Sequence, residues 1–133
     1  MDQVRTGGCL CGAVKFKVRG RLREVVACHC GQCRKQSGLY YAATNAPDEA
    51  LEVDDSGTLT WFHSSDTARR GFCNRCGSAL FWKDDGQGST SIMAGSLDQP
   101  TGLRMACHIY VADRGDFYEI DDGLPQYARS RGV

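Results

Sequence analysis

The sequence has no excess of either charge: sixteen Lys and Arg are matched by sixteen Asp and Glu over 133 residues. A nucleic-acid surface usually needs a basic excess on one face, so that class of partner is set aside. Long apolar runs are missing too. Stretches such as Val25–Cys28 are short, far from the ~20 apolar residues of a membrane span. The opening residues, MDQVRTGGCLCG, contain no apolar core of a secretory signal. The chain is therefore expected in the cytoplasm, away from membranes, where thiols stay reduced. Long helical periodicity, internal repeats and low-complexity segments are also absent. What remains fits a single domain over residues 1–133, and nothing in it specifies an oligomeric state.

Against these absences stand eight cysteines, at positions 9, 11, 28, 30, 33, 73, 76 and 107. Seven fall in three tight groups: Cys9-Leu10-Cys11-Gly12, Cys28-His29-Cys30-Gly31-Gln32-Cys33 and Cys73-Asn74-Arg75-Cys76-Gly77. Cysteines one or two residues apart converge on a metal more easily than they form unstrained disulfides. A following glycine lets the backbone curl around the sulfurs, and Gly12, Gly31 and Gly77 occupy such places.

Zinc takes about four soft ligands, so seven clustered cysteines suggest two Zn²⁺ ions per chain, one site closed and one with a free position. Spacing leaves two pairings open. Cys9 and Cys11 can join Cys73 and Cys76, leaving Cys28, Cys30 and Cys33 as a local trio. Alternatively Cys30 and Cys33 join Cys73 and Cys76, as in a zinc ribbon. The first is more economical. A zinc held by three thiolates carries a net −1 and is a weak Lewis acid. It suits activation of a fourth, incoming thiolate, because a zinc-bound thiol is deprotonated at neutral pH.

The remaining pattern is mainly β. Val14, Phe16 and Val18 share one face of a period-2 strand over Ala13–Val18. Further strands are read at Glu24–Cys28, Leu39–Thr44, Ala50–Val53, Thr58–His63, Arg69–Phe72, Ala79–Trp82, Ser91–Ala94, Met105–Val111 and Phe117–Ile120. Gly31–Ser37 reads as one helical turn stopped at Gly38. Asn45–Glu49 reads as a loop, and Ala128–Val133 as a loose tail.

These motifs resemble the glutathione-dependent formaldehyde-activating enzyme family, which includes the centromere protein V type. The matching stretches are Gly8–Val14, Cys28–Arg34 and Phe72–Gly77, with His108-Ile109-Tyr110-Val111 and Asp122-Gly123-Leu124-Pro125 near the end. The resemblance implies an Mss4-like fold, several small antiparallel sheets around zinc. It implies structural zinc on Cys9, Cys11, Cys73 and Cys76, and an active-site zinc on Cys28, Cys30 and Cys33. It also implies a carbon–sulfur lyase whose partners are a glutathione-like thiol and a small aldehyde, as in forming S-hydroxymethylglutathione from glutathione and formaldehyde. The alternative is a zinc-stabilised Mss4-like binding module without catalysis.

Other residues divide less sharply. His29 is read as a proton carrier beside the open position or as a turn residue facing solvent. His108, alternating with apolar neighbours, is read as structural, and Cys107 as a small buried apolar residue. Arg34 and Lys35 either meet the carboxylates of a tripeptide thiol or are solvated. One of Tyr40 and Tyr41 faces outward. Trp61 and Trp82 are read as core.

Overall fold

A computed structural model of the chain describes residues 3–131. Among them it is mainly β, with one α-helix. The chain folds as two compact units, residues 3–23 with 44–102, and residues 24–43 with 103–131.

In the first unit, β1 (Val4–Gly8), β2 (Lys15–Arg19) and β5 (Leu51–Asp54) form an antiparallel sheet in the order β1-β2-β5. The alternation read in the sequence holds: Val14, Phe16 and Val18 are buried, while Lys15, Lys17 and Arg19 are exposed. A side chain of this kind, fully buried, stabilises by about 1.5–3 kcal/mol. β6 (Leu59–His63), β7 (Ala68–Cys73), β8 (Ala79–Asp84) and β9 (Ser89–Met93) pair antiparallel in chain order. Phe81 on β8 meets Phe16 edge-on at 5.4 Å and Trp61 face-on at 6.1 Å between centroids. Gly71 makes room for this contact, because a Cβ there would stand 3.1 Å from the Trp61 ring. Trp61 and Trp82 are half-buried rather than core residues. The Arg69 guanidinium covers the Trp61 ring at 4.5 Å.

In the second unit, β3 (Val25–Cys28) lies between the first residues of β4 (Tyr41–Pro47) and β10 (Met105–Ile109). Val25, Val26 and Ala27 are all buried, as expected of a strand with neighbours on both edges and apolar residues on both faces. The β3–β10 pairing is parallel, which departs from the antiparallel expectation. The helix α1 (Gly31–Ser37) ends where expected, on Gly38 with φ 87°. Its N–H donates to Arg34 O at 2.8 Å, and glycine tolerates the left-handed turn that other residues resist.

Several expectations need correction. Asn45–Glu49 is not a loop: β4 runs through it to Pro47, and a short 3₁₀ turn follows over Asp48–Ala50. Val4–Gly8 forms a strand where none was expected, since its polar residues and glycines hide the period. Phe117–Ile120 is irregular rather than a strand. The expected loose tail is pinned as far as Arg129, whose carbonyl accepts from Tyr110 N–H at 3.0 Å, while Tyr127 N–H donates to His108 O at 2.9 Å. Residues 132 and 133 lie outside the described residues. No helix among the described residues is long and apolar enough to cross a membrane.

Candidate metal centres and a buried histidine pair

The first unit brings Cys9, Cys11, Cys73 and Cys76 together, with all four Sγ atoms within 4.8 Å of one another. Cys9 and Cys11 sit on the turn from β1 to β2; Cys73 ends β7, and Cys76 lies in the turn to β8. Gly12 (φ 81°) and Gly77 (φ 82°) supply the left-handed bends that let each chain curl around its sulfurs. Gly31 differs from them: it opens α1. The Cys9–Cys11 and Cys11–Cys73 Sγ separations are 3.6 and 3.8 Å. A disulfide would need about 2.05 Å. A tetrahedron of zinc–sulfur bonds of ~2.3 Å has edges of roughly 3.8 Å, so the four sulfurs fit that ion.

The surroundings favour thiolates at Cys73 and Cys76, whereas at Cys11 the Ala13 N–H is outweighed by burial and the neighbouring thiols, which raise it to about 11. The Ser78 hydroxyl, 3.2 Å from Cys76 Sγ, leads the contacts that bring Cys76 down to about 5. For Cys73 burial works the other way, but backbone N–H groups and the Thr58 hydroxyl outweigh it and leave its pKa lowered. Val14 N–H donates to Cys9 Sγ at 3.3 Å. A groove of about 660 Å³ in this unit is lined by Cys9, Lys15, Lys17, Glu52 and Asp98. Its mixed charges single out no ligand.

The second unit brings Cys28, Cys30 and Cys33 together, again within 4.8 Å. Cys28 ends β3, Cys30 caps α1, and Cys33 lies in the first turn of α1, where its N–H donates to Cys30 Sγ at 3.3 Å. Hydrogen bonding with the Cys30 and Cys33 thiols pushes the Cys28 pKa strongly upward, and burial adds to it. Three crowded sulfurs cannot all carry negative charge without a cation among them, and a soft divalent ion meets that need. Both clusters could hold metal ions. Of the two pairings open from spacing, the sulfurs group as the outer-pairs scheme has them.

In the same unit the structure shows contacts that sequence reasoning missed. His29 does not face solvent: it is 0% exposed. Its Nδ1 lies 2.5 Å from Tyr118 Oη and its Nε2 lies 2.9 Å from His108 Nδ1. His108, 3% exposed, places its Nε2 2.7 Å from Asp122 Oδ2. The Tyr40 ring lies 4.6 Å from the His29 ring. Burial, with His108 next, lowers the His29 pKa to about 4. The His108 contact, then Leu124 N–H, holds Asp122 below the usual carboxylate range. His108 is thus buried, as read, but polar and fully bonded. Tyr118 contacts a histidine 89 positions away, so no local pattern could reveal it.

The other candidates fall as follows. Cys107 is buried and belongs to neither cluster. Arg34 Nη1 donates to Asp113 O at 2.7 Å, and Lys35 is exposed. Tyr40 is half-buried over His29, whereas Tyr41 is buried. His63 is exposed.

Fold and donor sets together define a small, mainly β protein with two thiol clusters suited to metal. The family model for the glutathione-dependent formaldehyde-activating enzyme matches residues 4–113. The chain belongs to that family. It is 25% identical over 118 residues to a Schizosaccharomyces pombe protein named an uncharacterized lyase, covering 86% of this chain and 83% of that one. Its fold is similar to a crystal structure of a Rhodobacter sphaeroides protein, with TM-score 0.61 and 23% identity, covering 76% of this chain and 99% of that one.

Proposed function

We propose that the chain is a zinc-dependent carbon–sulfur lyase that joins a glutathione-like thiol to a small aldehyde such as formaldehyde. The observation that carries this reading is the inequality of the clusters: four converging sulfurs in one, three in the other. Cys9, Cys11, Cys73 and Cys76 would hold a structural zinc, and Cys28, Cys30 and Cys33 a second zinc with one position left for substrate. When bound, that ion lowers the pKa of an incoming thiol and so supplies a nucleophilic sulfur. Cys28, Cys30 and Cys33 would hold that ion. The reaction balances without an oxidant: the S–H bond breaks, a C–S bond forms at the carbonyl carbon, and the carbonyl oxygen takes up the proton.

Family membership supports the enzyme reading, and the distant relative's name supports a lyase. The reading takes residues 1–133 as a single domain, because each unit holds one cluster and β4 contributes residues to both. It places the protein in the cytoplasm, where formaldehyde and reduced thiols meet.

The test is metal analysis with a substrate screen. Near two zinc per chain, and faster adduct formation from formaldehyde with one low-molecular-weight thiol, is the expected result. One zinc per chain with no acceleration for any thiol would sink the reading and leave a non-catalytic binding module.

A further inference from the structure

A β-sheet edge carries unpaired N–H and C=O groups, and folded chains blunt such edges with cover, charge or irregularity. Four strands lie at sheet edges here: β1, β5, β6 and β10. Leu97 and Asp98 cover β1, since Leu97 bridges to Gly7 and Asp98 N–H donates to Thr6 O at 2.9 Å. The segment from Pro125 to Arg129 covers β10 through its bonds to His108 and Tyr110. β5 is four residues long and carries Glu52 and Asp54, of which Glu52 is exposed. β6, Leu-Thr-Trp-Phe-His, has none of these devices. It contains no Asp, Glu, Lys, Arg or Pro, and its register against β7 runs unbroken from Leu59 to His63.

The groups that β6 leaves open follow from the bonds at its two ends. Asn74 N–H donates to Thr58 O at 2.9 Å, and Ser64 N–H to Ala68 O at 3.0 Å. Hydrogen-bonded positions alternate along an antiparallel strand. Thr60 and Phe62 therefore turn their N–H and C=O toward β7, while Leu59, Trp61 and His63 turn theirs away. Among the described residues no hydrogen bond reaches those outward groups. The Phe62 side chain between them is 53% exposed.

We propose that the open edge of β6 pairs with β6 of a second copy of this chain, antiparallel, about a two-fold axis at Trp61. That register sets Leu59 opposite His63 and Trp61 opposite Trp61. All three outward residues then pair at once, and each pair exchanges two N–H···O bonds. A two-fold at any other residue leaves at least one of them without a strand residue opposite. Between these pairs each Thr60 faces Phe62 of the other copy, where side chains come closest. β-branched and aromatic neighbours of this kind stabilise sheets, and the two Phe62 rings meet on the diagonal.

Charge favours a second copy as the occupant. Identical strands bring any charge against its like. β6 has no Asp, Glu, Lys or Arg to bring, and the whole chain balances sixteen bases against sixteen acids. The same operation on β5 would set carboxylates against carboxylates. Each copy uses its β6 edge in the pair, so the assembly closes as a two-fold dimer. One strand pair is a small interface, of the weak and transient class. The pairing does not depend on the reaction proposed above.

The experiment is sedimentation equilibrium of the zinc-loaded protein from micromolar to millimolar concentration, with amide hydrogen exchange at both ends. The mass should rise toward twice that of one chain. The amides of Leu59, Trp61 and His63 should exchange fast at the low end and gain protection at the high end. Those of Thr60 and Phe62 should be protected at both. His63→Pro removes a donor that the single chain does not use, at an exposed edge position where proline is tolerated. Phe62→Lys sets two cations on the diagonal. Each should weaken the dimer by about 10-fold or more, because each change acts twice in a symmetric pair. Zinc content and melting at low concentration should not change. A chain that stays monomeric to millimolar concentration would overturn the proposal. So would a dimer whose outward amides stay unprotected, or one that both variants leave intact. Protection of those amides in a monomer only on adding an uncharged extended peptide would overturn it in favour of a foreign strand.

Discussion

The two cysteine clusters differ less in their sulfurs than in what surrounds them. The first has four thiols within 4.8 Å, hydroxyls from Ser78 and Thr58, and backbone N–H donors. Four thiols match the four directions of a tetrahedral ion, and the donors favour negative sulfur at Cys73 and Cys76. The second has three thiols, and its unit also holds two buried histidines hydrogen-bonded in a chain with a tyrosine. Buried polar groups are costly unless fully bonded, and here each is bonded into one chain. Four converging thiols suit an ion that supports a fold; three leave room at an ion for a further ligand. The experiments that break or sharpen this contrast follow, from largest expected effect to smallest.

Cys76→Ser should abolish the cooperative melting transition. Structural zinc contributes on the order of 10 kcal/mol of folding free energy in small domains, more than a chain of this size can lose. Cys30→Ser should keep a cooperative transition and one zinc, because serine caps α1 as well as the sulfur does. Its turnover should fall at least about 100-fold, since even outer partners of a metal ligand are worth 10- to 100-fold. If the two variants melted alike, the division of roles would be wrong.

Chelation should order the sites in time. Under a chelator one zinc equivalent should leave early with activity, and the other late with near-UV circular dichroism. Simultaneous loss would erase the contrast.

The smallest effect is a control away from both clusters. Lys83, then the Thr90 hydroxyl, holds the Asp48 carboxyl below its usual range. Its contribution is present above the ordinary aspartate value of ~3.9 and is lost as pH falls through the lower folded value. Asp48→Asn should cost about 0.5 kcal/mol at neutral pH. Its denaturant midpoint should converge on that of the wild type in acid, with zinc content unchanged. A shift in zinc content would mean that the first cluster is not insulated from its unit's surface.

Much of this was legible residue by residue. The alternation through Val14, Phe16 and Val18, and the stop at Gly38, are local rules of burial and backbone freedom, and they hold in the structure. The run of β4 through Pro47 was not legible, because a proline reads as punctuation unless its place on the strand is known. Polar Val4–Gly8 became a strand through its pairing with β2.

By itself the sequence determined that seven cysteines come in three groups, because sulfurs one or two residues apart have little choice but to share an ion. Which groups meet was decided by tertiary structure, since that depends on β1–β2 and β7–β8 presenting their turns to each other. The histidine chain was decided there too. Its bonds join residues 79, 89 and 14 positions apart, separations over which hydrogen-bond partners leave no periodic trace.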